Sequence, residues 1–197
     1  MAETRTTALI SLWRLLIVVF ALYGFGAATG WSGHFEALSQ QASLLTGIVY
    51  TGLLCYPFLT KKHETKKHEP QSPWLRGATT VLLLLVAVTF FTVLGGDLED
   101  QPFEHLYTPL VVLLDWLFVG RNQANAKWWY PLTWVAFPLI YFAYYLAADL
   151  SFYRFLDPVN AGTVATFLAA LIATGYVLLA AARLRTGPSA PRTRDRV

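Results

Sequence analysis

Four residues set among apolar stretches have side chains that could do chemistry: Ser39, His105, Asp115 and Asp157. A serine and a histidine are the minimum for nucleophilic acyl transfer, because an imidazole can take the hydroxyl proton while the oxygen attacks an ester. Ser39 opens an apolar helix, where free N–H groups can stabilise an oxyanion, although a first-turn serine can equally be a simple cap. His105 opens "HLYTPLVVLLDWLF" (105–118), either as a proton carrier or as an interfacial imidazole bonded to Glu104 or water. His34 is the reserve candidate for the base. Asp115 stands in the middle of that same segment, where a carboxylate in hydrocarbon costs roughly 2.5–3.5 kcal/mol.

The elements that must position these residues are membrane helices. The chain has 197 residues, 55% hydrophobic and 14% charged, a balance far from that of a soluble domain. Apolar stretches at 8–29, 38–59, 78–96, 104–120, 129–148 and 160–182 approach the roughly 20 residues that span a bilayer. They predict an all-α, polytopic fold with six transmembrane helices in one bundle. The basic residues are sorted by loop: Arg5; then Lys61, Lys62, Lys66, Lys67 and Arg76; then Arg121 and Lys127; then five arginines from Arg183 to Arg196. The alternate loops carry Glu36, then Asp97, Glu99, Asp100 and Glu104, then Asp149 and Asp157. By the positive-inside rule both termini are cytoplasmic, which fits the inner membrane of a bacterium. A cleaved signal peptide over 1–28 is the competing reading, and it would leave five spans.

That topology puts Ser39 and His105 at one outer level, with Asp157 closing the loop before the last span. Asp115 lies about 15 Å deeper than His105 at the helical rise. At 100° per residue His105, Thr108, Val112 and Asp115 share one side. Asp115 is therefore too distant for a dyad and is expected to hydrogen-bond a hydroxyl, tyrosine or tryptophan of another span, ordering the floor of a pocket. Phe90, Phe91, Trp134, Tyr141 and Tyr144 are candidate walls for acyl chains, and Gln40 or Ser43 could assist the oxyanion.

The remaining features read as membrane structure. Arg14 is expected to snorkel to the interface, where Trp13, Trp31, Trp74, Trp128, Trp129 and Tyr130 also belong. Gly24, Gly26 and Gly30 suit close helix packing, and Pro138 should kink the fifth span. Cys55 is expected to be a buried, inert thiol. His63 and His68 lie among four lysines, a poor setting for a metal. The net charge of +3 forms no stripe that would bind nucleic acid, and the tail 183–197 reads as a disordered basic segment that can rest on anionic lipid. No cofactor is implied, and membrane lipids are the expected partners.

"LSQQASLLTGIVY" (38–50), "HLYTPLVVLLDWLF" (105–118), "WVAFPLIYFAYYL" (134–146) and "YRFLDP" (153–158) resemble, in the same order, motifs of the androgen-induced-protein and ADTRP-like family of six-span membrane proteins, including its bacterial branch. The resemblance implies a hydrolase of fatty acid esters of hydroxy fatty acids that uses an intramembrane threonine and a histidine. Ser39 would take the threonine's place and His105 the histidine's. Leu38, Ser39 and Ser43 stand where the bacterial pattern has phenylalanine, threonine and asparagine. The alternative from another class is a lipid-binding or proton-coupled carrier built on Asp115 and His105.

Overall fold

A computed structural model describes residues 2–33, 36–59, 69–97, 99–151, 153–156 and 161–186, and every regular element among them is helical. The helices are α1 Ala2–Thr29, α2 Leu38–Leu59, α3 Trp74–Thr92, α4 Thr108–Leu114, α5 Tyr130–Trp134, α6 Ala136–Ala147 and α7 Ala161–Thr186. Single π-helical turns, Phe103–Tyr107 and Asp115–Val119, extend α4 at both ends into one rod. α5 and α6 form a second broken rod, interrupted at Val135. Pro138 explains the break: it has no N–H for the Trp134 carbonyl, so the second segment restarts with the proline in its first turn. The fifth predicted span is thus two helices.

Four helical segments are long and apolar enough to cross a bilayer: Ala8–Thr29, Leu38–Leu59, Trp74–Thr92 and Ala161–Arg185. The rods at 103–119 and 130–147 are broken into shorter pieces by the π turns and the Val135 turn. Large apolar side chains face outward all along the bundle, among them Leu9, Val19, Ile48, Leu132, Ile140 and Val177. In water that surface would be costly; in lipid it is the expected one.

Two buried clusters hold the rods together. One surrounds Trp116 and Trp134, whose rings meet edge to face at 5.5 Å, with Ala78, Val81, Leu171 and Leu178. The other joins Ile17, Ala42, Tyr50, Leu83 and Val112 of α1 to α4. The Trp116 indole N–H also donates to the Leu178 carbonyl at 3.1 Å, and the Arg185 guanidinium reaches the carbonyls of Leu117, Phe118 and Gly120. The last half of α7 is pinned to the end of the α4 rod.

The third span begins at Trp74 rather than 78, and this moves Arg76 from the predicted loop into α3. There it is 1% exposed and donates to Asp115 Oδ2 from Nε at 3.0 Å and from Nη2 at 2.7 Å. Arg14 is likewise buried and paired with Glu69, so it does not snorkel. A buried carboxylate partner outweighs the interface for a guanidinium that can satisfy its fork. Trp74 donates its indole N–H to Thr133 Oγ1 at 2.7 Å, tying α3 to α5 instead of standing only at an interface. Cys55 faces outward from α2 rather than into the core.

Candidate active site

Ser39 enters its position through the local chemistry of a helix start. Ala37 is the residue before α2, and its N–H donates to the Gln40 side-chain oxygen at 3.3 Å, while the Gln41 N–H closes on the Ala37 carbonyl at 3.2 Å. A glutamine three residues into the cap is half of a capping box. The Gln40 side-chain oxygen is therefore occupied in starting the helix. The same start leaves Ser39 in the first turn, 7% exposed, with the first-turn N–H groups beside it.

His105 is carried by the first π turn. An extra residue in that turn displaces the side chains from the face a continuous α-helix would present. His105, Thr108, Val112 and Asp115 are nevertheless all buried, so the side expected to face into the bundle does so. The imidazole lies flat on the Phe90 ring of α3, centroids 3.6 Å apart and planes at 1°, and its Nδ1 is buried without a hydrogen-bond partner. Among the described residues no carboxylate pairs with that nitrogen.

Ser39 and His105 line one cavity. Its volume is about 710 Å³ out to the mouth, and it is a narrow cleft. Leu85, Val86, Thr89 and Phe90 of α3 form one wall; Leu139, Tyr141 and Phe142 of α6 another; Phe155 and Leu156 of the following loop and Val164, Phe167 and Leu168 of α7 complete it. Almost the whole lining is apolar. The polar groups Ser39, Thr89, His105, Tyr141 and Tyr153 are its exceptions.

Of the predicted aromatic walls, Phe90 and Tyr141 do line the cavity, whereas Phe91, Trp134 and Tyr144 do not. Trp134 belongs to the cluster at the other end, where it packs on Trp116. The loop side chains Tyr153, Phe155 and Leu156 replace them; the sequence signal for these was the "YRFLDP" stretch. The Tyr141 hydroxyl donates to the Glu36 carbonyl at 3.0 Å, and the Tyr153 N–H donates to the Tyr145 hydroxyl at 2.9 Å, which ties the loop to α6. Burial raises the Tyr153 phenol above its ordinary pKa, keeping it neutral. Asp157 and His34, like His63, His68 and the tail beyond 186, lie outside the described residues.

Asp115 is not the floor of this cavity. Its Oδ2 accepts the Tyr50 hydroxyl at 2.9 Å as well as both Arg76 bonds, and the Arg76 guanidinium also donates to the Asn122 side chain at 2.5 Å. Glu69 completes the group: one oxygen takes Arg14, the other the N–H groups of Arg121 and Asn122, each at 2.9 Å. The tyrosine partner fits the expectation of a buried hydrogen-bonding role. The arginine does not, because Arg76 was assigned to a loop.

Glu104 is the residue that the sequence did not single out. It is 0% exposed, neither carboxyl oxygen has a hydrogen-bond partner of normal geometry, and it lies beside the Ser39 hydroxyl. Gly24 of α1 makes the room: a Cβ there would stand 3.2 Å from both Glu104 Cγ and its backbone N. Ser43 and Thr108, one turn beyond Ser39 and Glu104, are fully buried with unpartnered hydroxyls. Ser43 therefore does not point into the cavity as an oxyanion donor. A charge-to-neighbour count would have read Glu104 as one more acid of the outer loop; only the absence of a side chain at Gly24 hints at its burial. No family model, curated protein or solved structure matches this chain.

Proposed function

We propose that the protein is an intramembrane hydrolase of lipid esters, with six spans, both termini cytoplasmic, and Ser39 and His105 as nucleophile and proton carrier. The observation that carries this reading is the placement of both side chains on the wall of a single narrow, apolar cavity. A cavity of that width and lining suits a hydrocarbon chain, and an ester beside Ser39 would put its carbonyl at the cavity's polar end. Four long apolar helices and the sorting of the basic loops support the multi-pass topology.

In this mechanism the Ser39 oxygen attacks the carbonyl carbon and His105 takes the hydroxyl proton. The first-turn N–H groups of α2 face the developing oxyanion. Collapse breaks the bond to the leaving oxygen, which departs as the alcohol with the proton from His105. Water then attacks the acyl-serine, again losing a proton to His105, and the acid is released as the serine recovers its proton. The stretches that resemble motifs of the androgen-induced-protein and ADTRP-like family make branched fatty acyl esters the first substrates to try. The carrier alternative is weakened by the pairing of Asp115 with Arg76, which leaves it no free carboxylate at that depth.

The test is turnover of long-chain esters by purified protein in detergent, with a hydrophobic fluorophosphonate to mark the nucleophile. Labelling that maps to Ser39, and turnover lost in both Ser39→Ala and His105→Ala, are the expected results. Turnover unchanged in either variant would sink the assignment.

A further inference from the structure

A surface groove abuts the cavity of Ser39 and His105. Phe142 of α6 and Val164 and Leu168 of α7 line the cavity on one side and the groove on the other. The groove adds Leu146 of α6 and Ala161 and Ala165 of α7, and every side chain lining it is apolar. Ala161, Ala165 and Leu146 are exposed to the surroundings of the bundle. Two small residues on α7 thus face larger ones on α6, which leaves a slot between the helices.

The way α7 is held gives this slot a physical cause. Its second half is fixed: Gly175 packs against Pro131 and Trp134, the Leu178 carbonyl accepts the Trp116 indole, and Arg185 caps the end of the α4 rod. Its first half packs Leu168, Leu171 and Ile172 against the Trp116–Trp134 cluster and Phe167 against the loop residue Phe155 at 5.2 Å, but at its N-terminal end residues 161–163 are all exposed. A helix pinned at one end and lightly packed at the other opens where the packing is light.

We propose that the α6–α7 slot is a lateral portal through which the hydrocarbon chain of a membrane-resident ester passes from the bilayer into the cavity of Ser39 and His105. This rests on the hydrolase reading for its reaction and, for its path, on the wall that groove and cavity share, whose side chains Phe142, Val164 and Leu168 must part to let a chain through. A long-chain ester is far more soluble in the bilayer than in water, so an apolar side entrance is the route its chain can take at least cost. Charged headgroups would find no partner among the groove's side chains, which restricts the passing segment to hydrocarbon.

Ala165→Trp fills the slot from an exposed position and leaves the core untouched; Ala165→Ser is the control. Two readouts are needed: turnover of a long-chain ester in mixed micelles against a water-soluble short-chain ester, and labelling of α6 and α7 by an ester carrying a mid-chain diazirine. The expected result is a loss of about ten-fold or more in kcat/KM for the long ester in Ala165→Trp, with the short ester unchanged and the serine control silent. Labelling at Phe142, Val164 or Leu168 should be competed by unmodified long ester and lost in Ala165→Trp. Equal losses for both esters, or no loss for either, overturn the portal. Labelling that resists competition and survives Ala165→Trp marks annular lipid only and also overturns it. Competed labelling that is lost in Ala165→Trp, in a protein that turns over no ester, keeps the portal and rejects the hydrolase.

Discussion

The bundle buries polar side chains at both ends and treats the two groups differently. At the end near Arg76, the guanidinium meets Asp115 and Asn122, Asp115 meets Tyr50, and Glu69 accepts from Arg14 and two backbone N–H groups. At the end near Ser39, both Glu104 oxygens, the Ser43, Thr89 and Thr108 hydroxyls and His105 Nδ1 are buried without partners. The first end is not perfect, since Asp115 Oδ1, Gln123 Oε1 and the Trp134 indole N–H also lack partners, but its charges are matched and cross-link four rods. An unpaired buried polar group costs about 1–3 kcal/mol, more if charged, so a cluster of them is a standing liability to the fold. Paired groups at one end explain themselves by stability. Of the unpaired groups, Thr89 and His105 line the cavity with Ser39, and theirs are the partners to seek in a substrate.

The largest effect expected from breaking this contrast is on activity alone. Ser39→Ala should lower ester turnover by about 10³-fold or more, as loss of a nucleophile does elsewhere, while unfolding in detergent changes by no more than the roughly 1 kcal/mol of one hydrogen bond, that of the hydroxyl beside Glu104. A large stability loss would place Ser39 with the structural groups instead.

The paired end should behave the opposite way. Asp115→Ala leaves a buried guanidinium without its carboxylate and is expected to cost about 3–5 kcal/mol in unfolding. Arg76→Met with Asp115→Leu removes both charges and should recover most of that loss. A double variant as unstable as the single one would show that the pair is not the element being lost.

How much of this could be read from the sequence differs between the ends in the same way. The long apolar helices and the level shared by Ser39 and His105 followed from apolar length and charge sorting, which act over whole segments. The pairing of Asp115 was misjudged because one boundary was set at 78 instead of Trp74, and that shift of one turn took Arg76 out of a loop and into the core. Trp134 was misplaced because the Val135 break separates it from the face of α6 that carries Tyr141. The facing of Glu104 depends on a π turn, which a fixed 100° period cannot anticipate.

The unpaired end makes a prediction about the trade between stability and function. Glu104→Met is close in volume and removes two buried oxygens without partners. It should raise stability by about 1–3 kcal/mol, read as a higher Tm, if nothing in the resting protein pays for the carboxyl group. Turnover should fall, because the carboxyl lies beside the Ser39 hydroxyl. A destabilised variant would mean that Glu104 is paired in the resting protein after all.

The smallest effect separates space from helix propensity. Gly24 and Gly52 both sit inside long helices, where alanine is favoured over glycine by about 0.8–1 kcal/mol. A Cβ at Gly52 meets nothing within 4 Å, so Gly52→Ala should show that gain. At Gly24 the Cβ would stand 3.2 Å from Glu104 Cγ, 3.2 Å from its backbone N and 3.2 Å from Phe103 Cβ. Two of these are fixed by the π turn and cannot swing aside, so overpacking of about 1–3 kcal/mol should cancel or exceed the propensity term. The expected pair of results is a stabilised Gly52→Ala and a neutral or destabilised Gly24→Ala. Gly24→Ala should also lower turnover, since the π turn that must move carries His105 as well as Glu104. Equal stabilisation of the two variants, with turnover intact, would mean that Gly24 is an ordinary helix glycine and that the seat of Glu104 does not depend on it.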